Sequence, residues 1–184
     1  MRIIAGKAKG KRLKTPKTGS KVRPLTERVR AALFNILVHK IEGARFLDLF
    51  AGTGAVGMEA LSRGAAYAVF VELDPGFSRL IEENLQQAGL EKQGRVYNKD
   101  VVSALSMLSQ EQFGIVFMGP PYDAPVLEEV LIKIAELDLL QPKGVLVVEH
   151  RKQHVIPEAI GKYALVKSAR YGETVLDFFQ EKVC

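Results

Sequence analysis

Arg45-Phe-Leu-Asp48-Leu-Phe50-Ala-Gly52-Thr-Gly54-Ala-Val-Gly57 reads as a short apolar strand that runs straight into a glycine-rich turn and then a helix starting near Ala55. A strand, a glycine turn and a helix N-terminus bring backbone N–H groups and the positive end of the helix dipole onto one ligand. Glycines at 52 and 54 let the turn take positive φ and let a ligand approach the backbone. Asp48 falls at the carboxyl end of the strand, where open α/β sheets bind ligands. A carboxylate there repels a pyrophosphate and accepts hydrogen bonds from a cationic ligand.

Outward from this turn, strand and helix patterns alternate. Residues 67–74 (YAVFVELD) form an apolar run ending in acids, as a buried parallel strand does. A helix pattern covers 75–88 and stops at Gly89, a short strand RVYN delivers Asp100, and a further helix follows to about residue 109. FGIVFMG (113–119) is the next buried strand and ends in Pro120-Pro121-Tyr122. A helix pattern around Leu127–Ala135 precedes the Pro142-Lys143-Gly144 turn and the strand VLVVE (145–149). Two alternating stretches, 163–171 and 174–181 around Gly172-Glu173, predict an antiparallel hairpin. This pattern predicts a doubly wound, Rossmann-like α/β sheet, mostly parallel, with an antiparallel C-terminal edge.

Upstream, Ile3, Ile4 and Leu13 around Gly6 and Gly10 suggest two short strands meeting in a small basic hairpin. Thr26 is a candidate N-cap for a helix whose apolar face carries Val29, Leu33, Ile36, Leu37 and Ile41 and which ends at Gly43. The division expected is a basic arm over 1–22 and one catalytic domain over 23–184.

The 184 residues carry a net charge of +5, unevenly spread: residues 1–30 hold eleven Lys/Arg and one acid, whereas the other 154 hold 15 basic and 20 acidic residues. A mildly acidic body with a basic front end suits a polyanionic partner. Each duplex phosphate that such an arm neutralises adds about 0.9 to the salt slope. A single cysteine, Cys184, suits a reducing compartment, and no apolar run is long enough to span a membrane. A cytoplasmic, monomeric protein is expected. His150 and His154 stand four apart without a further Cys or His nearby, so no metal site is expected.

Gly52-Thr-Gly54-Ala-Val-Gly57 also satisfies the dinucleotide pattern, with Glu72 as the ribose acid. Asp48 argues against a pyrophosphate, and the chain leaves little room for a second substrate domain. S-adenosylmethionine, with an ammonium, a sulfonium and no phosphate, fits better. Asp48 would then serve the ammonium, Glu72 the ribose hydroxyls and Asp100 the adenine amine. In the Gly119-Pro120-Pro121-Tyr122 loop, two prolines remove N–H donors and leave carbonyls to accept, beside a ring able to stack on a base.

These stretches resemble the RsmD-type 16S rRNA (guanine-N2)-methyltransferases, class I S-adenosylmethionine-dependent enzymes. The resemblance runs through the basic hairpin, RPLTERVRAALFNIL (23–37), LDLFAGTGAVGMEALSRGA (47–65), the VELD strand end, the PPY loop, the VVEH strand and KSARYGETVLDFF (167–179). It implies methyl transfer to the N2 amine of a guanine in the 16S rRNA of the small ribosomal subunit. It implies cofactor contacts at Asp48, Gly52, Gly54, Glu72 and Asp100, with Thr26, Arg30 and Phe50 in the same pocket, and a target loop at Gly119, Pro120, Pro121 and Tyr122. RNA contacts are implied at Arg2, Lys7, Lys9, Lys11, Arg12, Lys14 and Arg23. The family pattern places Asp or Asn where this chain has Gly119, so one acceptor for the target amine is missing. Losing such a group costs on the order of a hundredfold in rate. Two consequences are expected: Gly119→Asp raises turnover, and the alternative to an enzyme is an impaired RNA-binding or assembly factor that keeps the fold.

Overall fold

The computed structural model describes residues 1–16, 24–121 and 126–182. Eight strands make one sheet in the order β3-β2-β1-β4-β5-β8-β7-β6. The first five are β1 (Arg45–Leu49), β2 (Tyr67–Glu72), β3 (Gly94–Asn98), β4 (Phe113–Met118) and β5 (Leu140–Arg151), and neighbours among them pair in parallel. β6 (Ala159–Ile160), β7 (Tyr163–Tyr171) and β8 (Thr174–Glu181) close the edge in antiparallel pairs. Order reverses between β1 and β4, the switch point at which doubly wound sheets bind ligands.

The helices are α1 (Glu27–Ile36), α2 (Ala55–Ser62), α3 (Pro75–Ala88), α4 (Val101–Met107) and α5 (Leu127–Glu136). Two apolar clusters show which face each covers. Leu33, Met58, Leu61, Ile81 and Leu85 of α1–α3 pack on Phe46, Phe70, Phe117 and Val147, whereas Ala104, Leu105, Val130 and Ile134 of α4–α5 pack on Leu47, Val71, Val116 and Leu146. Strand side chains alternate between faces. The central strands are therefore apolar on both, which is why they read as continuous runs. α2 is buried along its whole length.

The doubly wound sheet and closing hairpin match the sequence reading, and three details differ. α1 stops at Ile36, with the Leu37 N–H bonded to Leu33 O; a turn then carries Ile41 into the core, so the apolar spacing outlasts the helix. β5 begins at Leu140, ahead of the Pro142-Lys143-Gly144 turn. There Lys143 takes φ +63° and the pairing with β4 shifts register, so the turn signal marks an irregularity inside the strand. At the N-terminus, instead of two strands there is one antiparallel bridge, Arg2 to Arg12. Of the amides between, Ile3, Lys9, Gly10 and Lys11 donate within the segment, and four are taken by the body: Ile4 and Ala5 donate to the Glu59 carboxylate at 2.8 and 3.0 Å, Lys7 to Ser62 O and Ala8 to Ser62 Oγ. Ile3, Ala8 and Leu13 are buried in the cluster with α1–α3.

Candidate active site

The glycine turn is built as its sequence requires. Gly52 and Gly54 have φ of +54° and +73°, and Phe50 between strand and turn also sits in the left-handed region at +61°. A non-glycine residue held there stores strain of order 1–3 kcal/mol, a cost that concentrates at functional sites. The turn is tied to its neighbours: Ala51 donates to Val71 O, Gly54 to Ala51 O, and Gly52 to Glu72 Oε2 at 2.7 Å. Glu72 Oε1 accepts from the Asp74 N–H at 2.9 Å, so one side chain joins the turn to the β2–α3 loop. Asn98 Nδ2 braces that loop from β3, donating to the carbonyls of Glu72 and Leu73.

Asp48 is buried, and its Oδ2 accepts from the Gly57 N–H in the first turn of α2 at 2.8 Å. Burial pushes its carboxyl up to about 8; the Gly57 bond opposes this, and the nearby charges of Glu72 and Glu149 add to it. Gly57 is needed for space: a Cβ there would lie 2.3 Å from the Phe70 ring and 3.1 Å from Asp48 Oδ2. The alternation explains why these carboxylates meet. Asp48 pairs with Phe70 and Phe117, Glu72 lies two beyond Phe70, and Glu149 lies two beyond Val147, so all three project on the α1–α3 face at the strand ends. Among the described residues no group of His, Cys, Asp and Glu is set to hold a metal ion. A cluster of acids around a protonated carboxyl is a site that a cation completes, and the ammonium and sulfonium of S-adenosylmethionine have that charge.

The other expected positions separate. Asp100 is exposed and N-caps α4, accepting from the Ser103 N–H at 2.8 Å, a bond that holds its carboxyl below the usual range. Thr26 N-caps α1 through the Val29 N–H at 3.3 Å. Arg30 is turned away from the strand ends: it is wholly buried beside Glu59 and donates to Arg2 O at 2.5 Å. That geometry makes it an anchor of the N-terminal hairpin, in place of the expected pocket residue. Gly119 donates to Leu49 O at 3.4 Å, Pro120 is buried and Pro121 exposed. Tyr122 and Arg23 lie outside the described residues. On the hairpin, Lys7 pairs with Gln93, Lys11 donates to Ala88 O, Lys14 pairs with Glu83 and Arg2 lies 3.6 Å from Glu27, while Lys9 and Arg12 are exposed.

Sequence reasoning missed a second surface. A cleft of about 630 Å³ opens between the start of α1 and the β7–β8 turn, lined among others by Thr26, Arg28, Glu149, Arg151, Arg170 and Tyr171. Its signal was present but divided: Glu149 ends an apolar run just as Glu72 does, and the arginines come from three distant elements.

The chain is similar along almost its entire length to proteins already described. The family model "Conserved hypothetical protein 95" matches residues 1–180. The Escherichia coli (strain K12) ribosomal RNA small subunit methyltransferase D is 34% identical, over 99% of this chain and 90% of its own. The Haemophilus influenzae protein of the same name is 37% identical over 83% of this chain and 79% of its own. Among solved structures, that of the Thermus thermophilus hypothetical protein TTHA0928 superposes with a TM-score of 0.83 at 36% identity, over 97% of this chain and 98% of that one. Fold, glycine turn and full-length similarity agree, and the chain belongs to the conserved hypothetical protein 95 family, that of the RsmD-type ribosomal RNA small subunit methyltransferases.

Proposed function

We propose that this chain transfers the methyl group of S-adenosylmethionine to the exocyclic N2 amine of a guanine in 16S rRNA of the small ribosomal subunit. The observation that carries the proposal is the buried Asp48 among the carboxylates of Glu72 and Glu149 beside a glycine turn. This polarity suits a cationic cofactor and opposes a pyrophosphate. Asp48, Gly52, Gly54 and Glu72 are the residues that would hold it, with Phe50 shaping the turn and Asp100 at the end of the third strand toward the adenine.

When bound, S-adenosylmethionine supplies a methyl group activated by its sulfonium. The chain then has to align the amine with that methyl group and exclude water, which is where most of the rate comes from. Pro120 and Pro121 give a stiff rim with carbonyl acceptors for the amine. The surplus proton on the methylated nitrogen is acidic and leaves to solvent without a strong base. Arg28, Arg151 and Arg170 line the cleft that Glu149 also lines and suit the phosphates of an RNA strand. Lys9 and Arg12, exposed on the hairpin, extend the cationic surface. No helix among the described residues is long and apolar enough to cross a membrane.

Radiolabelled methyl transfer to small subunits lacking the modification, followed by nucleoside analysis, tests the proposal. Label recovered as N2-methylguanosine supports it. Tight binding of cofactor and RNA with no label points instead to a binding or assembly factor, the reading that Gly119 favours.

A further inference from the structure

We infer that Glu149 supplies the acceptor for the target amine that position 119 lacks, and that it reads the guanine edge; the inference rests on the methyltransferase reading above. Gly119 is not among the residues with positive φ, so its backbone does not demand glycine. A Cβ built at Gly119 would lie 2.8 Å from Glu149 Oε2, the far end of a flexible side chain, and 3.2 Å from the Phe117 ring. The carboxylate of Glu149 thus occupies the volume that a side chain at 119 would enter.

The register explains the exchange. Met118 pairs with Val148, so Gly119 and Glu149 are the next residues of adjacent parallel strands. Phe117 and Val147, two residues earlier, both face α1–α3, and Gly119 and Glu149 share that face. A carboxylate delivered from β5 therefore reaches the place that a shorter side chain on β4 would reach. Glu149 is half-buried, lines the arginine-bearing cleft on one side and is close enough to Asp48 to raise its carboxyl on the other. It bridges the route of the base and the pocket of the cofactor.

A carboxylate has two acceptor oxygens, and guanine presents two donors side by side, N1–H and the N2 amine. One carboxylate can accept from both; adenine offers no such pair. Glu149 therefore serves as hydrogen-bond acceptor and as a specificity element, with the cleft arginines gripping phosphate in either case.

The test compares guanosine 5′-monophosphate with inosine 5′-monophosphate, which lacks only the 2-amine, by NMR titration of the full chain without cofactor. The wild-type chain is expected to bind the guanine nucleotide several-fold tighter, Glu149→Gln to keep part of that preference and Glu149→Ala to lose it. In turnover, Glu149→Ala is expected to lower kcat about a hundredfold, a larger change than in the KM for S-adenosylmethionine. Adding Gly119→Asn to Glu149→Ala restores an acceptor from β4 and is expected to regain tenfold. An unchanged nucleotide preference in Glu149→Ala, or a kcat within threefold of wild type, overturns the inference. A wild-type chain that discriminates the nucleotides through Glu149 yet methylates no RNA defeats the enzyme reading and leaves the guanine contact standing.

Discussion

Asp48 Oδ2 accepts the Gly57 N–H at 2.8 Å, so the acid of the glycine turn is bonded to the very helix whose N-terminus the turn opens. That bond favours the ionised form, but burial dominates and holds the carboxyl at about 8. Between pH 4 and 8 the folded state keeps a proton that the unfolded chain releases. Stability therefore falls as pH rises through this window, by at most about 1.4 kcal/mol per pH unit. Asp48→Asn keeps an acceptor for Gly57 and removes the titration. Its expected outcome is a melting temperature above that of wild type at pH 8 and equal to it near pH 4, read by calorimetric scans across pH.

The same protonation couples to the cofactor. A cation beside Asp48 favours the carboxylate, so binding below pH 8 releases a proton and affinity climbs toward a plateau above it. Calorimetry at pH 7 in buffers of different ionisation enthalpy is expected to show that release in the wild-type chain and a smaller one in Asp48→Asn. Asp48→Ala is expected to bind S-adenosylmethionine at least tenfold more weakly; unaltered affinity would remove Asp48 from the pocket.

Glu72 bonds Gly52 and Asp74 at once, and both contacts precede any ligand. Glu72→Ala frees two N–H groups and lets the turn and the β2–α3 loop move apart. Cofactor affinity is expected to fall ten- to a hundredfold, with Glu72→Gln, which keeps one acceptor oxygen, in between. Faster amide exchange at Gly52 in Glu72→Ala, measured without ligand, checks the structural half of this statement.

Much of this architecture was legible because strand ends announce themselves. Asp48 and Glu72 each close or nearly close an apolar run, and glycine punctuates the turns between. The 163–171 and 174–181 stretches mark the edge hairpin because a Gly172-Glu173 turn separates two strand-forming runs. What the sequence concealed depends on pairings distant along the chain. Arg30 looks like an exposed cation on a polar helix face, yet Glu59 on α2 draws it inside. Glu149 looks like one more strand-end acid until its register with Gly119 is known. Four amides of the N-terminal hairpin go to Glu59 and Ser62 of α2, partners invisible in the segment itself.

Glu59 is fully buried in α2 and accepts from Ile4 and Ala5 N–H groups, lies 3.5 Å from Arg30 Nε and is bonded by Arg63 Nε at 2.7 Å. Removing Arg30 leaves Glu59 with Arg63 as its one cation and frees the Arg2 carbonyl, at a cost of about 1–3 kcal/mol. Arg30→Met is expected to lower the urea midpoint accordingly and to speed amide exchange at Ile4 and Ala5, while the Asp48 turn keeps its protection. Equal loss of protection at both places would show that the hairpin is not a separately anchored unit.

Gly119→Asp tests the β4 end most directly, and the structure reverses the sign expected from the family pattern. Read from sequence, an acid at 119 restores a missing acceptor and raises turnover. In the structure its Cβ would fall 2.8 Å from Glu149 Oε2, so the introduced aspartate and Glu149 would compete for one volume and place like charges together. Two carboxylates in contact do not both ionise readily, and one pKa rises. Gly119→Asp is therefore expected to lower kcat several-fold at pH 7 and to shift the pH–rate profile to higher pH, because more base is needed to ionise the pair. Gly119→Asn, uncharged, is expected to lose less and to leave the profile in place. Affinity for S-adenosylmethionine should remain within threefold in both, since neither change touches Gly52, Glu72 or the Asp48 bond. Steady-state turnover from pH 6 to 9 reads all of these together; a rise in kcat for Gly119→Asp at pH 7 would return the acceptor role to position 119.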